Sequence, residues 1–363
     1  MPAFGRTGVA NLPLHGGKAP KWLFERMTKL AREICIVVVE DFGPEEMLQK
    51  MSDPYWFQAF GCALGFDWHS SGLTTTACGA LKEGISEIEN DLGFFIAGGK
   101  GGTSRKTPKQ IEDRGHLISV DPANLVYNSK IVAKVDSAAL QDGYQLYHHV
   151  FLFTKNGSWA VVQQGMNDRT KYARRYHWLG ETVEDFVCEP HYGICCEKRG
   201  EALNLVATES TPAREVISQI AVENKPEKTL EELKKLRTLE LPARHQIVVK
   251  DIHPDRLRKT ILSTYERSPE GFEELLSLPG VGPKTIRALS LLAELIYGTA
   301  PSFSDPARFS FAHGGKDGIP FPVDRRTYDQ SIQLLRKAVT RAKIEGSEKR
   351  RAINRLDDWH FSR

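Results

Sequence analysis

The chain has 363 residues, of which 40% are apolar and 26% are charged, and its formal net charge is +3 at pH 7. This length and composition predict an ordinary soluble protein of two domains, and the small net charge does not by itself identify a partner. No stretch approaches the ~18 uninterrupted apolar residues of a membrane-spanning helix. The six cysteines include no C-x-x-C pair. We therefore expect a cytoplasmic protein that has no disulfides and does not bind a membrane.

Residues 1–200 predict an N-terminal α/β domain. Sequence patterns predict helices over residues 21–41, 55–64, 74–92 and 131–148. Residues 150–154 and 158–163 predict two strands of a hairpin, because they flank the turn residues Lys155-Asn156-Gly157. Residues 176–179 predict one more short strand.

A basic, glycine-rich segment over residues 98–107 follows an apolar run at residues 94–97. Its consecutive backbone N–H groups, together with Lys100, Arg105 and Lys106, suit a phosphate group. The segment is not a P-loop, because Phe94 occupies the position of the first glycine. We expect it either to contact nucleic-acid phosphates or to be an exposed flexible loop.

A group of polar side chains lies around the predicted strand hairpin. They are Asp136, Gln141, Asp142, His148, His149, Gln163 and Gln164. Carboxylates on a helix beside polar groups on a strand could hold the Mg²⁺ or Mn²⁺ of a nuclease. Such a strand normally carries Glu and Lys, and residues 159–166 contain neither. Because neutral glutamines also suit the reading of a base edge or a structural hydrogen-bond network, all three interpretations stay open.

Residues 201–363 predict an all-α C-terminal domain. Helix starts are indicated at Thr211-Pro212, at the capping box formed by Thr229 and Glu232, and at His253-Pro254. Further helices are predicted over residues 270–277, 283–297 and 328–343. Residues 325–363 carry 11 Lys or Arg against 5 Asp or Glu. This end, which includes Arg325 and Arg326, therefore predicts either a phosphate-binding surface or a solvated basic helix.

Two of the predicted helices are joined by the short segment LPGVGPKT at residues 278–285. Two helices linked by a tight Gly-x-Gly turn form a helix-hairpin-helix unit. Gly280 and Gly282 let the backbone approach a ligand closely, and the free N–H groups at the start of the second helix bind phosphate. Together with Val281 and Thr285, the two glycines predict a backbone contact to nucleic acid that does not depend on base sequence.

Lys284 lies in the first turn of the second hairpin helix. The positive end of the helix dipole favours a neutral amine there, and such an amine is a nucleophile that forms Schiff bases with sugar aldehydes. Asp324 is the candidate carboxylate that could steady positive charge on the sugar or accept the lysine proton. It also precedes a predicted helix, where Asp is a good N-cap.

The hairpin, followed by Pro322-Val323-Asp324, resembles the helix-hairpin-helix DNA glycosylases, the superfamily of endonuclease III and 8-oxoguanine glycosylase. The resemblance implies that Lys284 is the Schiff-base lysine and Asp324 the essential carboxylate. It also implies phosphate contacts at Gly280, Val281 and Gly282. The chain departs from the family in the 324 − 284 = 40 residues between lysine and aspartate, a longer separation than one helix and a short loop. No cysteine follows Cys196, which excludes the iron–sulfur cluster that some members carry there.

Most of the chain resembles a different family, a prokaryotic domain of unknown function (number 763). The segments that carry this resemblance are residues 11–20, 65–72 and 136–149. It implies no settled activity. Our leading expectation is a DNA repair protein that acts as a glycosylase and abasic-site lyase on damaged or single-stranded DNA, without a cofactor. The alternatives are a metal-dependent, structure-specific nuclease with its site in the N-terminal domain, and a non-catalytic nucleic-acid-binding protein.

Overall fold

The computed structural model describes residues 20–66, 72–196, 200–236, 253–307 and 325–361. The chain begins with helices that cover one face of a sheet. They are α1 (Lys21–Phe42), α2 (Pro44–Ser52), α3 (Pro54–Leu64), α4 (Gly72–Ile85) and α5 (Glu89–Leu92). In the part of the chain that the structure describes, no helix has the length and apolarity needed to cross a membrane.

A five-stranded antiparallel sheet with strand order β1-β3-β4-β5-β6 lies at the centre of the fold. Its strands are β1 (Phe94–Lys100), β3 (Gln145–Thr154), β4 (Trp159–Met166), β5 (Ala173–Leu179) and β6 (Gly193–Cys195). A second, two-stranded sheet pairs β2 (Leu140–Gln141) with β7 (Leu203–Asn204). The predicted hairpin is confirmed as β3 and β4, and its turn places Gly157 at a φ of +84°. The mixed helix and antiparallel-strand content confirms the α+β class in outline.

The remaining helices come after β1 in the chain. They are α6 (Thr107–Glu112), α7 (Pro122–Lys134), α8 (Thr211–Glu223), α9 (Pro226–Leu236), α10 (Pro254–Arg267), α11 (Phe272–Ser277), α12 (Pro283–Leu295), α13 (Arg325–Arg341) and α14 (Gly346–Phe361). A π-helical turn, Val135–Ala139, extends α7 directly.

Three predicted helices have different bounds in the structure. The helix predicted over residues 131–148 is wrong in its second half, because Gly143 at a φ of +85° turns the chain into β3. The helix predicted over residues 74–92 ends at Ile85, and a separate short helix follows. Thr229 does not cap a helix, since α9 already begins at Pro226.

Helices cover both faces of the main sheet, so its central strands are buried on both sides. One core combines Ile96, Val150, Leu152 and Val162 with Leu335 and Leu356 of α13 and α14. The other core combines Phe95, Phe151, Phe153 and Val161 with Leu276 of α11 and Leu292 of α12. The last two helices thus contact α3 in the N-terminal layer. The two segments of the chain share both cores, and the division into residues 1–200 and 201–363 stays a prediction.

Gly84 provides a test of the packing between α1 and α4. A Cβ at Gly84 would lie 2.7 Å from the backbone oxygen of Thr28 and 3.1 Å from Cβ of Arg32, and no side-chain rotation relieves either contact. We expect Gly84→Ala to lower the free energy of unfolding by about 1–3 kcal/mol in urea denaturation. Gly79→Ala in the same helix is the control, since its Cβ would meet only the ring of Phe24 at 3.9 Å. That variant should be neutral or up to about 1 kcal/mol more stable, and equal losses in both would contradict this packing.

Candidate nucleic-acid interface

The helix-hairpin-helix forms as predicted from α11, a tight turn and α12. Gly280 adopts a φ of +86°, a backbone conformation that favours glycine. Gly282 is extended, with a φ of −147°, and a Cβ built there would meet no atom within 4 Å. No side chain of the described residues caps the start of α12. The first N–H groups of this helix are therefore open to a ligand.

Two side chains, one at the C-terminal end of α7 and one in β2, hold the hairpin in place. Lys134 Nζ donates to the backbone oxygens of Leu278, at 3.3 Å, and Val281. Gln141 Nε2 donates to the backbone oxygen of Pro283 at 2.9 Å. Burial lowers the pKa of Lys134, which is about half-buried at this contact. Because these donors occupy carbonyl groups of the turn, the hairpin is anchored while its N–H groups stay available.

Lys284 is exposed in the first turn of α12, and no hydrogen bond or ion pair engages it among the described residues. Thr285 is 3% exposed, so its contribution to a ligand would come from the backbone. Asp324 lies outside the described residues, as do the side chains of Arg325 and Arg326. The pairing of Lys284 with Asp324 therefore stays a prediction.

The basic segment is a strand end followed by a 3₁₀ turn, Gly101–Lys106. Gly98 is needed for packing, since a Cβ there would lie 2.2 Å from the backbone oxygen of His149. Lys100, Arg105 and Lys106 are exposed, as a phosphate contact requires. The absence of a side chain at Gly98 thus lets β1 pack close to β3. Lys100, Arg105 and Lys106 remain the candidates for binding phosphate.

An open cavity of about 750 Å³ extends from this basic turn to the end of α11. Arg105 lies on its rim, α7 contributes Lys130 and Lys134, and Ser277 closes the end next to the hairpin. The lining contains three cations and no Asp or Glu among the described residues. The cavity therefore favours an anionic ligand and lies directly beside the hairpin turn.

Asp136 lies buried beneath this cavity, in the π-helical turn. Its carboxylate accepts hydrogen bonds from Gln163 Nε2 at 2.5 Å and Trp178 Nε1 at 2.9 Å. Its other oxygen lies 2.5 Å from His191 Nε2. Three N–H groups thus approach the carboxylate and leave at most one of its roughly four lone-pair positions for a cation. This donor set does not fit a metal ion.

The hydrogen bond between Gln163 and Asp136 determines which ring nitrogen of His149 carries the proton. Since the Gln163 amide nitrogen donates to Asp136, its oxygen accepts, and His149 Nδ1 at 2.7 Å must carry the proton. His149 Nε2 is then the acceptor for the Ser129 hydroxyl at 2.9 Å. Burial lowers the pKa of His149, which agrees with a neutral ring. The chain Asp136–Gln163–His149–Ser129 is therefore a directed hydrogen-bond relay that ends at the cavity wall.

The structure separates the other residues of the predicted polar group. Asp142 is buried and accepts from Arg174 Nη1 at 2.8 Å and the Tyr176 hydroxyl at 2.7 Å. Burial raises the pKa of Asp142, and the Arg174 charge opposes that shift. Arg174 also bonds Asp305 at 2.6 Å, which completes a buried ion-pair network.

Asp136 and Gln163 of the predicted polar group bond to each other, and His149 bonds to Gln163, while Gln141 braces the hairpin. His148 is buried, and neither of its ring nitrogens has a hydrogen-bond partner among the described residues. Across the described ranges, no group of three or more His, Cys, Asp or Glu side chains could hold a metal ion. Sequence reasoning named His149 in the polar group but missed Ser129 and Lys134, because nothing in their spacing showed that helix α7 would lie over β3 and against the hairpin.

The buried His148 predicts a loss of stability in acid. Burial lowers the pKa of His148 from 6.5 to about 3. Between those values the unfolded chain binds a proton that the folded protein does not, so stability falls as the pH drops below about 6.5. We expect His148→Phe to reduce the loss of unfolding free energy between pH 7 and pH 5 by roughly 2 kcal/mol. Urea denaturation at both pH values measures this.

The control for that experiment is His116→Phe, because His116 is exposed. It should keep the pH dependence of the wild type. An unchanged pH dependence in His148→Phe would show that His148 is solvated or protonated in the folded protein.

Comparison with known families places most of the chain in one family. A family model described as "Protein of unknown function (DUF763)" matches residues 8–323. Searches of curated proteins and of solved structures found no match. Because the family match spans most of the 363 residues, the chain belongs to the DUF763 family of proteins of unknown function.

Proposed function

We propose that this protein binds DNA through the helix-hairpin-helix of α11 and α12. The observation that carries the proposal is the open start of α12, where no side chain caps the helix and nothing lies within 4 Å of a Cβ built on Gly282. Such a helix start binds phosphate through backbone N–H groups. Anchoring by Lys134 and Gln141 supports the same role, since a rigid turn loses little entropy on binding. A cytoplasmic location, as expected from the sequence, belongs to this proposal.

We further propose that Lys284 performs the chemistry at a damaged or abasic nucleotide. Its amine attacks C1′ of the open-chain sugar, a C–N bond forms, and water leaves to give a Schiff base. Loss of a C2′ proton then expels the 3′ phosphate and breaks the strand. At an intact nucleotide the same attack would displace the base. Asp324 is the proposed carboxylate that assists, and neither step requires a metal.

A non-catalytic DNA-binding protein is the second candidate. The observation that favours it is the exposure of Lys284, since an exposed lysine at a helix start can contact a phosphate without taking part in chemistry. The nuclease alternative has less support, since Asp136 and Asp142 each accept several protein hydrogen bonds.

Substitution of Gly282 tests the binding surface without disturbing the fold. The site is extended and open, so Ala fits in the free protein, but its methyl group would stand where a phosphate approaches. We expect Gly282→Ala to weaken binding of single-stranded or abasic DNA about tenfold, the equivalent of one charge-assisted hydrogen bond. Fluorescence anisotropy at fixed salt measures the affinity. Gly271→Ala is the matched control, because Gly271 precedes α11 with a similar extended backbone and an equally open Cβ position.

Equal affinities for both variants and the wild type would show that DNA does not contact the start of α12. Both glycines are helix N-caps, where Ala is less favourable than Gly, so the two variants should lower the thermal unfolding midpoint by similar small amounts. An affinity loss confined to Gly282→Ala would then separate a ligand contact from a folding defect.

Borohydride trapping on DNA with an abasic site tests the Schiff-base step. In the presence of EDTA, the wild type should form a covalent adduct that Lys284→Ala does not form. Lys259→Ala is the control, since Lys259 is exposed on α10 close to the hairpin and should keep the adduct. Binding without an adduct would leave the non-catalytic candidate. Cleavage that requires added Mg²⁺ or Mn²⁺ would instead support a nuclease.

A further inference from the structure

The cavity beside the hairpin can hold more than a phosphate. We infer that it binds one nucleotide unit of the DNA strand held by the hairpin, with the base inside and the backbone at the cationic rim. This inference rests on the proposed DNA binding. The family match and the hairpin resemblance assign no role to this part of the molecule.

The charges around the cavity select an anion. Arg105 and Lys130 are exposed at its rim, and Lys134 lies deeper. Lys100 adds a fourth positive charge nearby, with its Nζ 5.7 Å from the centre of the Tyr147 ring. No Asp or Glu is among the described lining residues, and the carboxylate at the edge of the cavity, Glu273, accepts from the Tyr127 hydroxyl at 2.5 Å. Four cations against this one carboxylate still favour a phosphodiester at the rim.

The size and shape of the cavity suit a base rather than a phosphate alone. Its volume of about 750 Å³ lies in the range of sites that enclose small organic ligands. Tyr127 and Tyr147 contribute aromatic rings to the wall, and bases stack on such rings whatever their sequence. Two aromatic rings and a cationic rim are the combination that a flipped or single-stranded nucleotide needs.

The hydrogen-bond relay under the cavity determines whether the cavity wall offers a donor or an acceptor. Because Ser129 donates its proton to His149, its oxygen faces the cavity as an acceptor. Asp136 holds the relay in this direction from below. A base N–H group would therefore find an oriented acceptor, with no rearrangement needed on binding.

Lys134 and Ser277 place the cavity next to the hairpin. Lys134 lines the cavity and also donates to two carbonyl groups of the turn, while Ser277 immediately precedes the turn. Because Lys134 bonds the carbonyl group of Val281, the residue before Gly282, a strand whose phosphate is bound at Gly282 passes beside the cavity wall. The neighbouring nucleotide is the unit that would enter it.

Photocrosslinking with 5-iodouracil tests the inference. Single-stranded DNA with one 5-iodouracil is irradiated with the full-length protein, and the crosslinked peptide is identified by mass spectrometry. We expect the crosslink at Tyr127, Tyr147 or His149. Ala133→Phe, which fills the cavity from α7, should reduce its yield about tenfold. Ala123→Phe is the matched control, because Ala123 is exposed on the same helix outside the cavity.

A second pair of variants guards against a misfolded Ala133→Phe protein. Lys130→Glu reverses one rim charge at an exposed position and should also reduce the crosslink, whereas Lys21→Glu makes the same charge change on α1 outside the cavity. Free 5-iodo-deoxyuridine monophosphate provides the remaining comparison. A crosslink with the free nucleotide but not with the strand would overturn the assignment to strand-bound DNA.

The outcomes separate this inference from the proposed function. If DNA binds in anisotropy but crosslinks only outside the cavity, or crosslinks equally in Ala133→Phe and the control, the cavity assignment is wrong and the hairpin proposal survives. If no DNA binds to the wild type, both fail together.

Discussion

The main constraint on this structure is that helices cover both faces of one antiparallel sheet. Every central strand is then removed from water on both sides, and a polar side chain on it requires a partner inside the protein to offset the cost of desolvation. His148 finds none among the described residues. Gln163 and His149 meet this requirement by bonding to each other, to Asp136 and to Ser129. The cavity lies where the helical cover over β3 and β4 is incomplete, and the relay reaches its wall.

The helical layer on the sheet also connects the sheet to the helix-hairpin-helix. Helix α7 packs on the sheet, and its last residue, Lys134, donates to the carbonyl groups of the turn. The π-helical turn that follows carries Asp136, and β2 then carries Gln141 to the start of α12. One continuous stretch of chain therefore supports the hairpin from below and forms the base of the cavity. Movement of the hairpin relative to the sheet would break these contacts first.

Local features of the fold were well predicted from the sequence. The turn at residues 155–157, the glycine at position 280 and the proline at position 283 each impose a backbone conformation that neighbours along the chain determine. Helices α1, α3 and α10 match their predicted ranges for the same reason. The helix predicted over residues 131–148 was wrong beyond the π-helical turn, since pairing of β3 with β1 and β4 outweighs any helical preference there.

The sequence by itself determined the helix-hairpin-helix, the strand hairpin and the α+β class, because turn geometry and apolar periodicity depend on residues close together in the chain. Only the tertiary structure decided which polar residues form a site. Ser129, Lys134, Asp136, His149 and Gln163 come from four elements (α7, the π-helical turn, β3 and β4), and the long-range packing of α7 on the sheet brings them together. No local pattern encodes that packing, since it depends on the complementarity of whole buried surfaces.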